Sequence, residues 1–303
     1  MGRALSTVGV KVLLAALVLA AAMGPYANAR ADSPTLVHPR VIKTWRWSRP
    51  SPDPAGLTFR RGARMLLVSD SEVDEIPSLW RKRNLFISNQ RGRVLRAASV
   101  TARSREPEDI AWDPRRQRLY VTDDDRDRVF RFLPGPDRRI GTADDRSATI
   151  LRTHLFGSGD PEGLAYRALD RSFFVTDPTR ERIYHVKAGS DRRFNTHDDY
   201  VTSFAGSSVG ITQPEGIEYE PRSKHLYIVG GPRDVVAVTT LRGKLVSTID
   251  FSFAGIIHPS AITIAPSDPA HRRTFVFIAD RGLDNAQHPA ENDGRLFRFV
   301  LRR

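Results

Sequence analysis

The chain has 303 residues, no cysteine, and 47 Lys and Arg against 35 Asp and Glu, giving a formal charge of +12. The missing thiols exclude a disulfide framework, so stability must come from core packing and backbone pairing. The positive charge does not single out a nucleic acid. Only six of the 47 basic residues are lysines, and the arginines recur in turn-like pairs such as Arg60 and Arg61, Arg115 and Arg116, Arg138 and Arg139, and Arg192 and Arg193. Charge spread in this way reads first as a general arginine bias on solvated turns and second as salt-sensitive attraction to an anionic cell envelope, and no DNA- or RNA-binding motif accompanies it.

Arg3 and Lys11 precede or open an apolar run from Val12 to Met23, followed by the overlapping small-residue sites Ala27-Asn-Ala29 and Ala29-Arg-Ala31. This is the pattern of a secretory signal peptide over residues 1–31, cleaved after Ala29 or Ala31. Its apolar run of 12 residues is shorter than the roughly 20 that span a bilayer. No later segment is apolar enough to span one, so residues 32–303 are expected to form a single exported domain, secreted or held in the periplasm or envelope, without a membrane span and monomeric.

Five times in that domain a proline-led motif opens an apolar alternation: Pro54-Ala-Gly-Leu57, Pro107-Glu-Asp-Ile110, Pro161-Glu-Gly-Leu164, Pro214-Glu-Gly-Ile217 and Pro259-Ser-Ala-Ile262. The prolines lie 53, 54, 53 and 45 residues apart, a period characteristic of propeller arrays. Each motif is followed by a β-branched and aromatic run: Met65–Asp70, Leu119–Asp123, Phe173–Asp177, Leu226–Gly230 and Phe275–Asp280. Third runs are clearest at Arg128–Phe132, Arg182–Val186 and Arg295–Phe299, and fourth runs at Tyr200–Phe204 and Lys244–Ile249. Period-two alternation between turn signals predicts strands, and four per unit predicts an all-β propeller of five four-stranded blades, with six the alternative. The last unit ends at its third strand. The orphan run Val41–Trp47 is therefore expected to close the ring as the missing outer strand, removing the open edges of a linear array.

Strand alternation brings the start of each first strand and the end of each second strand to one face. That face collects Glu108, Asp109, Glu162 and Glu215 from the proline motifs, and Asp70, Glu72, Asp123, Asp124, Asp125, Asp177 and Asp280 from the second strands. Oxygen ligands in a concave site suit Ca²⁺, with Glu108, Glu162, Glu215, Asp70, Asp123, Asp177 and Asp280 as candidate ligands. Clustered carboxylates without a cation repel one another and gain raised pKa values. The competing reading is that each acid ties backbone amides in a turn.

Two further acidic patterns, Asp137-Arg-Arg-Ile-Gly-Thr-Ala-Asp144-Asp145 and Asp191-Arg-Arg-Phe-Asn-Thr-His-Asp198-Asp199, fall on the opposite face. Their spacing does not fit the helix-loop-helix calcium loop, and they read more simply as hairpins tied by Asp side chains. The long second-to-third-strand loops, Asp70–Glu75 and Asp280–Asn285 with Glu291–Gly294, depart most from the repeat. They mark either a working surface or packing at the seam between the last and first blades.

Gly206-Ser-Ser208-Val-Gly210 matches a nucleophile-elbow spacing but lacks the strand-to-helix setting it needs. The histidines show no zinc-type pairing; His154 and His258 lie near inner-strand starts, where a general base could face the channel. No glycine loop for a nucleotide cofactor is present.

At Pro107-Glu108-Asp109-Ile110 through Tyr120–Asp123, and Pro161-Glu162-Gly163-Leu164 through Val175–Asp177, the chain resembles secreted bacterial NHL-repeat propellers over roughly Val41 to Arg303. The wider group includes gluconolactonase-type and phytase-like propellers. The resemblance implies metal at the channel mouth for Glu108, Glu162 and Glu215. The lactonase-type Asn ligands have no counterpart, since Asn89, Asn195 and Asn285 do not occupy equivalent points in their blades. Two functions follow as expectations. One is a calcium-stabilised binding or scaffold propeller taking a carbohydrate, peptide or protein of the envelope; the other is a metal-dependent hydrolase of a lactone or phosphate ester.

Overall fold

The computed structural model describes residues 34–302 except 269, 271, 284–287 and 289. The leader read over residues 1–31 lies outside them, as do Asp284 and Asn285. Among the described residues no helix is long and apolar enough to cross a membrane.

The chain forms five four-stranded antiparallel sheets. Blade I holds β2 (Pro54–Arg60), β3 (Met65–Asp70), β4 (Leu85–Asn89) and β5 (Val94–Ala98). Blade II holds β6 (Ile110–Asp113), β7 (Arg118–Asp123), β8 (Arg128–Leu133) and β9 (Arg146–Arg152). Blade III holds β10 (Leu164–Arg167), β11 (Ser172–Asp177), β12 (Arg182–Lys187) and β13 (Tyr200–Ala205). Blade IV holds β14 (Gln213–Glu220), β15 (His225–Gly231), β16 (Val235–Thr239) and β17 (Leu245–Asp250). Blade V joins β18 (Pro259–Pro266), β19 (Thr274–Asp280) and β20 (Arg295–Arg302) to β1 (Thr35–Lys43). The inner strands touch in the order β2, β6, β10, β14, β18 and back to β2, which makes the array a closed ring. The expected five blades are therefore formed, and the alternative of six is set aside.

Closure by the N-terminal strand is as expected, but its position is not. The pairing strand is Thr35–Lys43 rather than Val41–Trp47, with Leu36 opposite Leu301 and Ile42 opposite Leu296. Residues Thr44–Arg46 instead form a 3-10 turn, because the Thr44 hydroxyl donates to the Ser51 carbonyl at 2.6 Å and turns the chain inward. The early half escapes a period-two reading because it carries Pro39 and an irregular register between Val37 and Arg40, with His38 at φ 54°. An outer strand tolerates this, since a proline there leaves only a solvent-side donor missing and a bulge absorbs the extra residue.

Each blade interface has its own apolar cluster. Leu67, Ile87, Trp112 and Phe130 pack between blades I and II, and Tyr120, Phe173, Val175 and Tyr184 between II and III. Phe174, Ile217 and Ile228 fill the III–IV interface, Val236, Ile264 and Phe299 the IV–V interface, and Leu57, Phe86, Phe277 and Leu296 the V–I interface. The alternation of each strand thus serves both neighbours: one face of a blade buries its residues forward and the other backward.

Near the axis the blades are stitched by hydroxyls. The Ser or Thr that precedes the closing Asp of the second strand donates to the next blade's motif: Ser69 to the Glu108 carbonyl, Thr122 to that of Glu162, and Thr176 to that of Glu215. The approach is so close that a β-carbon on Gly163 would sit 2.1 Å from the Glu215 carbonyl oxygen, and one on Gly216 would sit 2.4 Å from the Ala261 Cα. The motif's third position is therefore small, with one exception, Asp109. It accepts the amides of Leu57 at 3.0 Å, Ile110 at 2.7 Å and Leu164 at 2.8 Å, from its own blade and the two beside it.

Ile42, 6% exposed and packed against Leu57 and Phe277, tests the closure. Ile42→Ala is expected to cost about 2–5 kcal/mol, and deleting residues 34–43 to abolish a single cooperative thermal transition. An unchanged melting curve for the deletion would show that the ring does not depend on β1.

Candidate functional site

The site is assembled by the segment around each motif proline. A proline opens a strand without losing a ladder bond and holds the residue before it extended, so the preceding and following side chains both lie at the ring's mouth. Reading those positions around the ring gives Asp53 and Ala55, Glu106 and Glu108, Asp160 and Glu162, Gln213 and Glu215, and His258 and Ser260. The pairings of Pro54 with Asp70, Pro214 with Gly230 and Pro259 with Asp280 bring the second-strand ends to the same face, as expected.

The seven candidate ligands divide into two groups there. Asp70, Asp123, Asp177 and Asp280 are fully buried and tie turns. Asp70 accepts the Ser51 hydroxyl at 2.5 Å and the amides of Asp53 at 3.0 Å and Val73 at 2.7 Å. Asp123 holds the Arg126 amide at 3.0 Å and its guanidinium at 2.8 Å. Asp177 accepts the amides of Gly159 at 3.2 Å and Arg180 at 2.7 Å. Asp280 accepts those of Ile257, His258 and Gly282 through one oxygen and pairs with Arg295 at 2.5 Å through the other. Each fastens the end of a second strand to the segment entering its own blade or to the turn that follows.

Glu108, Glu162 and Glu215 form the second group, and they surround an arginine. Arg281, one residue past β19, extends from blade V over blade I: its Nη2 lies 2.6 Å from Glu108 and 3.4 Å from the Ser71 hydroxyl, and its Nε lies 3.2 Å from Asp53. Its side chain is 13% exposed, and those of Glu108 and Asp53 are 9% and 1% exposed. Burial opposes its charge, but Asp53, Glu108, Glu162 and Glu215 together hold its pKa well above the ordinary arginine value. One guanidinium does not neutralise four carboxylates. Burial, with the Glu108 and Glu215 charges, pushes Glu162 well up, and a hydrogen bond to Glu108 adds to the rise. Burial raises Glu215 to about 7 against the pull of Arg281, and Asp53 rises mainly through burial too.

Beside this cluster, oxygens of Asp124, Asp160 and Glu162 all lie within 4.8 Å of one another. Asp160 accepts the Thr179 hydroxyl at 2.5 Å. One Asp124 oxygen is buried with no hydrogen-bond partner, and burial with the Glu108 charge lifts its pKa to about 7. Glu106 is raised to about 7 chiefly by burial, with the nearby Asp125 charge adding to the rise. This is a hard-oxygen donor set that a divalent cation fits, because a cation would replace the protons and the missing hydrogen bond.

Asp160 and Arg281 escaped the sequence reading. The signal for the first was present: an acid stands immediately before the motif proline in blades I, II and III, at Asp53, Glu106 and Asp160. Nothing in the sequence marks Arg281 among so many arginines. The remaining candidates have structural roles. Ser208 lies in a 3-10 turn and donates to the Ala205 carbonyl at 2.6 Å. His154 is exposed in another such turn. The two hairpin acids are hydrogen-bonded within their loops: Asp144 accepts the Thr142 hydroxyl at 2.6 Å and the Asp137 amide at 3.1 Å, and Asp198 is pulled down to about 2 by the hydroxyls of Thr196 and Ser190. At the end of the blade V loop the Thr44 amide donates to the Gly294 carbonyl at 3.0 Å, across the foot of β1 and β20.

No protein-family model matches the sequence, and no curated protein matches it. Solved structures that resemble it include the calcium-binding protein regucalcin from Agrobacterium tumefaciens (13% identity, 89% of this chain and 96% of that one, TM-score 0.49). A luciferin-regenerating enzyme (13% identity, 86% and 95%, TM-score 0.48) and the catalytically inactive H270A virginiamycin B lyase of Staphylococcus aureus (12% identity, 88% and 100%, TM-score 0.47) are others. Similarity at this level carries no argument about activity, and the five blades rest on the strand pairing itself.

Two outcomes are expected in EDTA. Arg281→Met leaves buried carboxylates without their counter-charge and should cost about 3–5 kcal/mol near pH 8, and much less near pH 5, where they are protonated; an equal loss at both pH values in urea unfolding would count against this. For the parent chain, Asp70, Asp124, Glu215 and Glu218 titrate at about 7 when folded, against about 4 unfolded. The folded state thus binds more protons between those values, and stability must fall as pH rises through that window. A urea midpoint higher at pH 8 than at pH 5 would contradict it.

Proposed function

We propose that the chain is an exported binding propeller whose channel mouth takes a divalent cation, Ca²⁺ by its all-oxygen donor set, and uses that cation and the surrounding acids to hold a ligand of the cell envelope. The observation that supports it most is the charge imbalance at the axis: a single buried Arg281 faces Asp53, Glu108, Glu162 and Glu215, while Asp124 has a buried oxygen with no partner beside Asp160 and Glu162. Repulsion of this kind is a cost in the empty protein that a bound cation relieves. Asp124, Asp160 and Glu162 would hold it, and Glu108 and Glu215 would share its field. Asp70, Asp123, Asp177 and Asp280 would serve by fixing the loops that carry those acids.

The leader-like residues 1–31 support export, and the concave acidic face suits a carbohydrate hydroxyl set or a cationic peptide or protein segment. A metal-dependent hydrolase uses the same parts differently: carboxylates titrating near neutrality next to a cation could exchange protons with a water or leaving group.

Thermal unfolding in excess EDTA and across a calcium titration tests the reading. A saturable stabilisation is expected, reaching about 2.7 kcal/mol at a hundredfold excess over Kd. It should vanish in Asp124→Asn/Asp160→Asn, a variant that should be more stable than the parent in EDTA. No calcium shift in the parent would refute cation binding; a shift together with turnover of a lactone or phosphate ester would favour the hydrolase.

A further inference from the structure

A cavity of about 450 Å³ opens between blades II and III on the face opposite the mouth. Its floor carries Arg118 and Arg131 on the paired strands β7 and β8, and its rim carries Arg171 with Lys187, Arg192 and Arg193 around the hairpin that follows β12. None of these six side chains lies within 4.0 Å of a carboxylate among the described residues. Asp170, the acid of the lining, is engaged by Arg167 at 2.8 Å and the Ser172 hydroxyl at 2.9 Å. The Nε atoms of Arg118 and Arg131 are buried and have no hydrogen-bond partner. Burial and the neighbouring Arg118 charge lower the pKa of Arg131. Like charges with buried, unused Nε donors are costly to assemble; the Arg118 side chain is otherwise hydrogen-bonded to the Tyr120 hydroxyl.

The wall opposite is aromatic. Phe194, from the second of the two repeated hairpins, packs on the cluster of Tyr120, Phe173 and Tyr184, with its ring 5.5 Å from that of Phe173. Tyr166 lies beside it, 4.9 Å from Tyr120. The hairpin is anchored across the interface: the Asn195 side chain accepts the Arg152 amide at 2.7 Å and donates to the Ile150 carbonyl at 3.0 Å. The rim arginines are thus carried on a pinned loop, not on a free one. The equivalent hairpin of blade II buries Ile140 in its own interface and directs the Arg96 guanidinium to the Ile140 carbonyl.

We propose that this cavity binds a compact ligand bearing two or more phosphate groups, with guanidinium forks on the phosphates and the aromatic wall against the group that joins them. Its volume suits a small molecule and not a polymer track, and cations on both floor and rim suit several charges over one. It does not depend on the cation site at the mouth.

Isothermal titration of the mature chain with tripolyphosphate, fructose 1,6-bisphosphate and inorganic phosphate at moderate salt provides the test. At least one of the first two should bind at least tenfold more tightly than inorganic phosphate, the preference between them telling a linear polyphosphate from a sugar ester. Arg118→Gln/Arg131→Gln, and separately the exposed pair Arg192→Gln/Arg193→Gln, should each weaken that binding tenfold or more. The second pair keeps the test valid if the first disturbs folding. Arg222→Gln/Arg242→Gln, exposed on blade IV, should change it less than twofold. Failure of both multivalent probes to bind the parent chain, or equal losses in the blade IV control, would overturn the site.

Discussion

Everything in this molecule depends on the pairing of β1 with β20, which turns a row of sheets into a ring. A row would leave two sheets with one unburied face each, and the inner strands would have no reason to converge. Once the ring closes, five chain segments are forced within contact of a common axis, and the residues there are selected by space before chemistry. That is why the motif's third position is Gly or Ala in four blades, and why its single Asp can knit three blades by their amides. It is also why the acids at the second position are taken out of water, where burial raises the pKa of Glu162 and Glu215.

The mouth shows how a buried charge cluster is compensated by the protein's own groups. Separate carboxylates in such a place would either stay protonated or separate, and both tendencies are visible. Burial and the neighbouring carboxylates push the pKa of Glu162 up, while the Asp residues ending β3, β7, β11 and β19 turn away to backbone amides and arginines. Arg281 supplies the remaining compensation from a neighbouring blade. The result is a site whose charge is set by protonation and by one guanidinium, and whose affinity for an added cation follows from what those two leave uncompensated.

Fold and site were unequally legible in the sequence. The blades could be read because apolar alternation, proline motifs and turn residues repeat, and repetition turns weak local signals into a strong one. The seven candidate acids could be placed on one face by strand direction alone. What could not be read was which side chain answers which. Asp70 and Glu108 look alike in sequence, yet one meets three donors from the turn after it and the segment entering its own blade, and the other meets a guanidinium from a distant residue. Arg281 was hidden among many arginines because its role depends on a loop that breaks the repeat. The closing strand was displaced for a similar reason: His38 and Pro39 interrupt the alternation that would have announced it, while Val41–Trp47 alternates well and half of it turns inward.

The route of Arg281 has a mechanical meaning. It leaves the last blade and ends against Asp53 and Ser71 of the first and Glu108 of the second, so the two ends of the ring are fastened at two radii. The circumference is held by backbone hydrogen bonds of β1, which are indifferent to the contents of the channel, and the hub by an ion pair that is not. Any cation that competes for Glu108 or Glu162 loosens the hub fastening and leaves the rim fastening intact. The seam between the last and first blades thereby carries two fastenings of different chemistry, and only the inner one answers to charge at the axis.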